Sequence, residues 1–215
     1  MNELCSWALF SLRIALLATL AAGLIATPLA YLLARRRSPW LNVIETLLTL
    51  PLVLPPTVVG YLLVVALGSK NPLIHWLFGR PLLFTEAAAV IAATVVILPL
   101  IYLPAKAAFA AVDLDLEDAA RLYGANRLGL FWHVSLPLAR RGVAAGLTMA
   151  FARALGEFGA TVMVLGISSE RTTLPIAIYL DYTAGDSSHA WGAIGVLVVV
   201  SLISVLVYNR FFREV

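Results

Sequence analysis

One cysteine and three histidines in 215 residues leave nothing from which to build a disulfide framework. Cys5 has no partner in the chain, and His75, His133 and His189 lack zinc-type ligand spacing, so no metal site is expected. Nucleotide loops are missing as well: no G-x4-G-K-[ST] stretch occurs, and neither Lys70 nor Lys106 follows a glycine loop, so this chain cannot cradle ATP phosphates. There is no G-x-S-x-G elbow, HExxH helix or pair of carboxylates inside an apolar run. A membrane-embedded hydrolase would need a nucleophile and a base facing one cavity, with only Ser201, Ser204, Arg153 and Glu157 to draw on. Charge is scarce too, at 13% of residues, about half the share of an ordinary soluble domain.

What fills the space is apolar: 61% of residues, with a mean hydropathy of +0.94. The composition is that of a bilayer protein. Ile14 to Ala34 is an uncharged run, long enough at ~1.5 Å per helical residue to cross a hydrocarbon core of ~30 Å. The start, Met1-Asn2-Glu3, lacks a basic region, so this span is expected to stay in the product and not to be removed as a signal peptide. The expectation is an all-α, polytopic, single-domain chain of five spans at about 10–34, 46–68, 86–106, 142–166 and 190–209. Of the apolar runs at their centres, 14–34, 46–68, 87–105, 142–166 and 190–209, the fourth alone contains charges, Arg153 and Glu157.

Sorting the 15 basic residues by side puts Arg35, Arg36, Arg37, Lys106, Arg121, Arg127, Arg140, Arg141, Arg210 and Arg213 on one face. Lys70, Arg80, Arg171 and Arg13 fall on the other. The positive-inside rule makes the first face cytoplasmic, with the N-terminus outside and the C-terminus inside. Basic residues spread as topology anchors also argue against nucleic acid as a partner; the partner on most of the surface is membrane lipid. Prolines recur in Leu50-Pro51-Leu52-Val53-Leu54-Pro55 and in Leu98-Pro99 to Pro104, where they are expected to kink the second and third spans. Pro175 within Leu174 to Leu180 suggests an interfacial segment and not a sixth span.

The longest polar stretch is the loop 113–141, with Asp113, Asp115, Glu117 and Asp118 near its start and Arg121, Arg127, Arg140 and Arg141 after them. Asp115 is a candidate N-cap, and Leu116, Ala119, Ala120 and Tyr123 share one face of the short helix that follows. Gly124 suits a left-handed C-cap, and Asn126 can cap a second short helix. Two short helices with little core of their own and a small-residue surface make a docking knob; an amphipathic loop lying on the headgroups is the alternative.

The spacing Asp118-Ala119-Ala120, three residues, Gly124, nine residues, Val134-Ser135-Leu136-Pro137 resembles the "EAA" loop of ABC-importer permeases, with Asp for Glu and Val for Ile. Leu50 to Tyr61, Ala154 to Thr161 and Thr173 to Tyr179 are similar to stretches of the molybdate permease subunits. The resemblance implies a type I importer permease whose coupling helices, here Glu117, Asp118, Ala119, Ala120 and Gly124, sit in a cleft of a cytoplasmic ABC ATPase. It also implies a homodimer, two copies of that ATPase carrying ATP and Mg, no cofactor in this chain, and an external oxyanion-binding protein. Tungstate, sulfate or thiosulfate are the alternative substrates.

Arg153 and Glu157 stand four apart, a pair for the bundle interior or a watery cavity, since a bare charge at the bilayer centre costs about 3 kcal/mol. They are candidates for the translocation pathway, with Thr161 one turn on and Thr57 after the Pro55-Pro56 bend. Register-holding is the alternative role for the pair, and bonding to their own backbone is that of the threonines. Gly142 and Gly146 form a GxxxG pair for close helix contact, and five helices surround so little space that the pathway is expected between two copies.

Overall fold

A computed structural model describes residues 2–36, 38–68, 76, 79, 82–167, 172–185 and 190–211. Its centre is a pair of long helices, α1 (Asn2–Leu33) and α4 (Glu86–Ala110). Their contact is a stripe of alanines: Ala15, Ala18, Ala22, Ala26 and Ala30 are wholly buried, one helical turn apart, in the same cluster as Ala89, Ala93, Ile97 and Ile101. Small side chains let the backbones approach closely where hydrophobic burial gives no drive between helices. Thr94 Oγ1 donates to its own-turn carbonyl, Val90 O, at 2.7 Å and reaches Ala18 O of α1 at 3.4 Å. Thr85 caps α4, and Glu86 in its first turn takes an ion pair from Arg13 of α1 at 2.8 Å.

Helix α7 (Leu136–Leu155) lies on the other side of α4. The GxxxG pair is spent here, within the chain: a Cβ on Gly142 would stand 2.5 Å from Ala108 Cβ, and one on Gly146 3.0 Å from Ile101 Cα.

Two of the expected spans are broken. The 46–68 segment straddles a 117° bend between α2 (Pro39–Val53) and α3 (Pro56–Leu67). The 142–166 segment straddles a 57° bend between the α7 rod and α8 (Gly159–Leu165). The first break has a local cause. Each proline of Pro55-Pro56 disfavours helical geometry in the residue before it, and Leu54 and Pro55 are extended at ψ 142° and 134°. Pro99 and Pro104, by contrast, stay inside the continuous α4, where a lone proline removes only one backbone bond. Among the described residues three helices, α1, α4 and α10 (Ala190–Phe211), are long and apolar enough to cross a bilayer, or up to five spans if each bent pair is one. Helix α9 (Leu174–Ala184), starting at Pro175's turn, has 11 residues and is too short to cross; Leu174 N–H donates to Ser11 Oγ of α1 at 2.8 Å.

Candidate functional site

The polar loop folds as a hairpin of α5 (Leu114–Leu122) and α6 (Arg127–Leu130), closed by a π-helical turn (Phe131–Ser135) that leads into α7. The N-cap of α5 is Asp113 and not Asp115: Asp113 is extended, at ψ 129°, and its side chain accepts from Asp115 N–H at 3.0 Å. Asp115 and Glu117 then occupy the first turn, where the helix dipole favours carboxylates. The helix ends as expected at Gly124, in the left-handed region at φ +89°. Ala125 N–H bonds Ala120 O and Gly124 N–H bonds Arg121 O, the paired closure of a Schellman end. Asn126 Oδ1 accepts from Gly129 N–H at 2.7 Å and caps α6.

The face turned to solvent carries Leu116, Asp118, Ala119, Leu122 and Tyr123, with Leu122 88% and Tyr123 94% exposed, and Leu128 and Trp132 beyond. Ala120 is half-buried. Asp118 pairs with Arg121 at 2.7 Å. Glu117 is not on that face. It is buried, ion-paired to Arg35 at 2.6 Å, and accepts from Ser135 Oγ at 2.9 Å. Neither Arg35 nor Ser135 stood out in the sequence: the first reads as one of three consecutive topology anchors, the second as a spacer within Val134-Ser135-Leu136-Pro137.

The second constellation lies at the helix breaks. Arg153 meets Glu157 at 2.6 Å; the Glu157 side chain is 1% exposed and that of Arg153 39%. Glu157 Oε1 also accepts from Ala160 N–H at 2.9 Å, binding the start of α8. The two breaks touch: a Cβ on Gly159 would stand 3.0 Å from Pro56 Cβ and 3.2 Å from Thr57 N. Thr57 is exposed, so Arg153, Glu157 and Thr57 are gathered around one junction. Thr161 is buried one turn along α8. Its hydroxyl has no hydrogen-bond partner among the described residues, whereas Thr19, Thr94 and Thr148 each bond their own helix. The hairpin and the junction are separate sites.

Comparison with known proteins places this arrangement. Residues 26–215 match the family described as binding-protein-dependent transport system inner membrane component. The permease protein YvgM of Bacillus subtilis is 46% identical over 164 residues, covering 74% of this chain and 72% of its own. The molybdenum transport system permease protein ModB of Escherichia coli K12 is 40% identical over 205 residues, 93% of this chain and 89% of its own. ModB of Mycobacterium tuberculosis is 38% identical over 202 residues, 92% and 76%. Among solved structures, the MetNI methionine ABC transporter in an inward-facing conformation shares the fold at TM-score 0.74 and 18% identity, over 99% of this chain and 96% of that one. A bacterial alginate ABC transporter in complex with a pentasaccharide-bound periplasmic protein does so at 0.69 and 18%, over 95% and 78%. An all-α chain with broken membrane helices, a two-helix polar hairpin and relatives of this length and identity belongs to the binding-protein-dependent transport system inner membrane components, in the branch of the molybdenum transport permeases.

Proposed function

We propose that this chain is the membrane-spanning permease subunit of an ATP-driven importer and passes molybdate by alternating access. It works as a homodimer with two cytoplasmic ABC ATPases, which carry the ATP and Mg, and an external oxyanion-binding protein. The observation that carries this reading is the junction of the two broken helices. The Arg153 side chain is 39% exposed there, within the apolar run 142–166. A charge facing lipid at that depth costs about 3 kcal/mol. A water-filled path lined by this face and the same face of a second copy removes that cost.

A tetrahedral dianion needs donors and positive potential on its way, yet has to leave again. One arginine held beside an acid supplies a weak, transient contact of that kind, with the exposed Thr57 as a hydroxyl donor at the same junction, whereas Thr161, the other candidate, reaches the pathway only if its buried hydroxyl is uncovered during the transport cycle. Tight selection then belongs to the external binding protein. The exposed face of α5, with Ala119, Leu122 and Tyr123 beside the Gly124 turn, is the part that enters the ATPase cleft. On this reading the hairpin end is cytoplasmic and the N-terminus external.

The deciding experiment reconstitutes the chain in vesicles with its ATPase and an external molybdate-binding protein. Accumulation of labelled molybdate should require ATP and be suppressed by excess tungstate but not by sulfate. Suppression by sulfate to the same extent would assign a different oxyanion, and uptake without ATP would remove the coupling.

A further inference from the structure

Glu117 belongs to the segment expected to meet the ATPase, but its side chain is 5% exposed and its charge is consumed internally. Arg35 Nη1 donates to one carboxylate oxygen at 2.6 Å, and Ser135 Oγ donates to the other at 2.9 Å. The second arm of Arg35, Nη2, donates to Phe109 O and Val112 O, carbonyls at the C-terminal end of α4. The fork and the carboxylate it holds therefore tie four pieces of chain: Arg35 joins the end of α1 to the end of α4 and to the first limb of the hairpin, and Glu117 passes the link on to Ser135 of the π-helical turn. The same pieces, α5 excepted, meet a second time through rings: Tyr31 of α1 lies 5.5 Å from Phe109 of α4 and 5.0 Å from Phe131 of the turn.

We propose that Arg35 is a positioning residue for energy coupling: with the buried Glu117 and Ser135 it forms a pin that makes the hairpin move as one piece with the ends of α1 and α4. The inference rests on the coupling reading of the hairpin and concerns how displacement leaves it. The physical need is plain. Helices of nine and four residues, as α5 and α6 are, do not hold their shape alone, so a push on Leu122 and Tyr123 would be absorbed inside the hairpin unless tertiary contacts stiffen it. Arg35 also adds a second donor to Phe109 O, which takes Val112 N–H at 3.3 Å, and a donor to Val112 O just past the end of α4. A lysine has its three donors on one nitrogen and lacks the planar two-nitrogen fork that reaches Glu117 through one arm and the two carbonyls through the other. Ser135 closes the other limb: its hydroxyl spans Glu117 and Leu130 O, at 3.3 Å, across the π-turn.

The test uses the complete reconstituted transporter with Arg35→Lys and Ser135→Ala. The ATPase should copurify as with wild type and hydrolysis should continue, while labelled molybdate imported per ATP hydrolysed falls roughly tenfold for Arg35→Lys and less for Ser135→Ala. Ser135→Ala removes one buried hydroxyl and keeps the measurement available should Arg35→Lys not assemble. Unchanged import per ATP in both variants overturns the pin. Loss of ATPase association in them overturns it as well, by making the cluster a direct contact. Leu122→Ala and Tyr123→Ala separate the two levels. If they leave ATPase association intact, the coupling reading itself fails; if they abolish association while the pin variants transport normally, only the pin fails.

Discussion

Arg153 and Glu157 are unequal partners, and the inequality can be measured. Removing the arginine strands a carboxylate whose side chain is 1% exposed, a loss of about 3–5 kcal/mol for a broken buried pair. Glu157→Gln is milder, because the Arg153 side chain is 39% exposed and can hydrate, and an amide oxygen still accepts from Ala160 N–H. The melting temperature in detergent should therefore fall most for Arg153→Ala, and recover in Arg153→Ala/Glu157→Gln to near the level of Glu157→Gln alone. Uptake should stay lost in the double variant, since the passing anion has lost its cation. Uptake returning together with stability would reduce the pair to a register lock. Gly124 poses a different residue-scale case: no atom lies within 4 Å of a Cβ built there, so Gly124→Ala meets only the backbone cost of φ +89°, about 1–2 kcal/mol. Gly124→Asn, tolerant of that region, should keep ATPase association in a pull-down, whereas Gly124→Trp should abolish it without blocking membrane insertion.

At the scale of elements, α3 and α8 cross where Gly60 would carry a Cβ 2.8 Å from Met163 Cβ and 2.9 Å from Ala160 Cα. Backbone cannot yield as a flexible side chain can, so Gly60→Ala should wedge the two broken helices apart and cut uptake severalfold. Gly195→Ala on α10, with open space around its Cβ, should leave uptake at wild type and gain up to ~1 kcal/mol of helix propensity. Equal effects of the two in an uptake assay would refute the wedge. These crossings mark the limit of what the sequence makes legible. Long apolar runs such as those of α1, α4 and α10 announce themselves, because hydrocarbon allows a spanning chain few alternatives to helix. Gly124 and Asn126 were readable because cap chemistry is local. Asp113 and Asp115 were not separable, since both lie within reach of the first turn and only the extended backbone at Asp113 decides. Pro55-Pro56 marked a bend, but a pair of prolines does not specify its 117° angle. The Arg35–Glu117 contact joins residues 82 apart, and nothing in either neighbourhood signals the other.

At the scale of the whole molecule, the fold sorts charge along the bundle. Arg35, Arg36, Arg121 and Arg127 line one cavity of about 310 Å³, while Arg140 and Arg141 flank a neighbouring groove with Asp113 and Tyr208. The other end of α1 holds Arg13, tied to Glu86. The proposed orientation, with this basic end in the cytoplasm, rests on the resistance of Lys and Arg to translocation. If each bent pair crosses once, the chain has an odd number of spans and its termini lie on opposite sides. Cys5 is the sole cysteine and is exposed near the end of α1 opposite Arg35 and Arg36, which makes it a ready-made reporter. A membrane-impermeant maleimide should label it in intact spheroplasts as fully as in broken membranes, whereas a cysteine appended to the C-terminus of a Cys5→Ser chain should react only once the membrane is opened. The reverse pattern would turn the hairpin outward, away from any nucleotide, and the exposed α5 face would then have to serve a partner outside the cell.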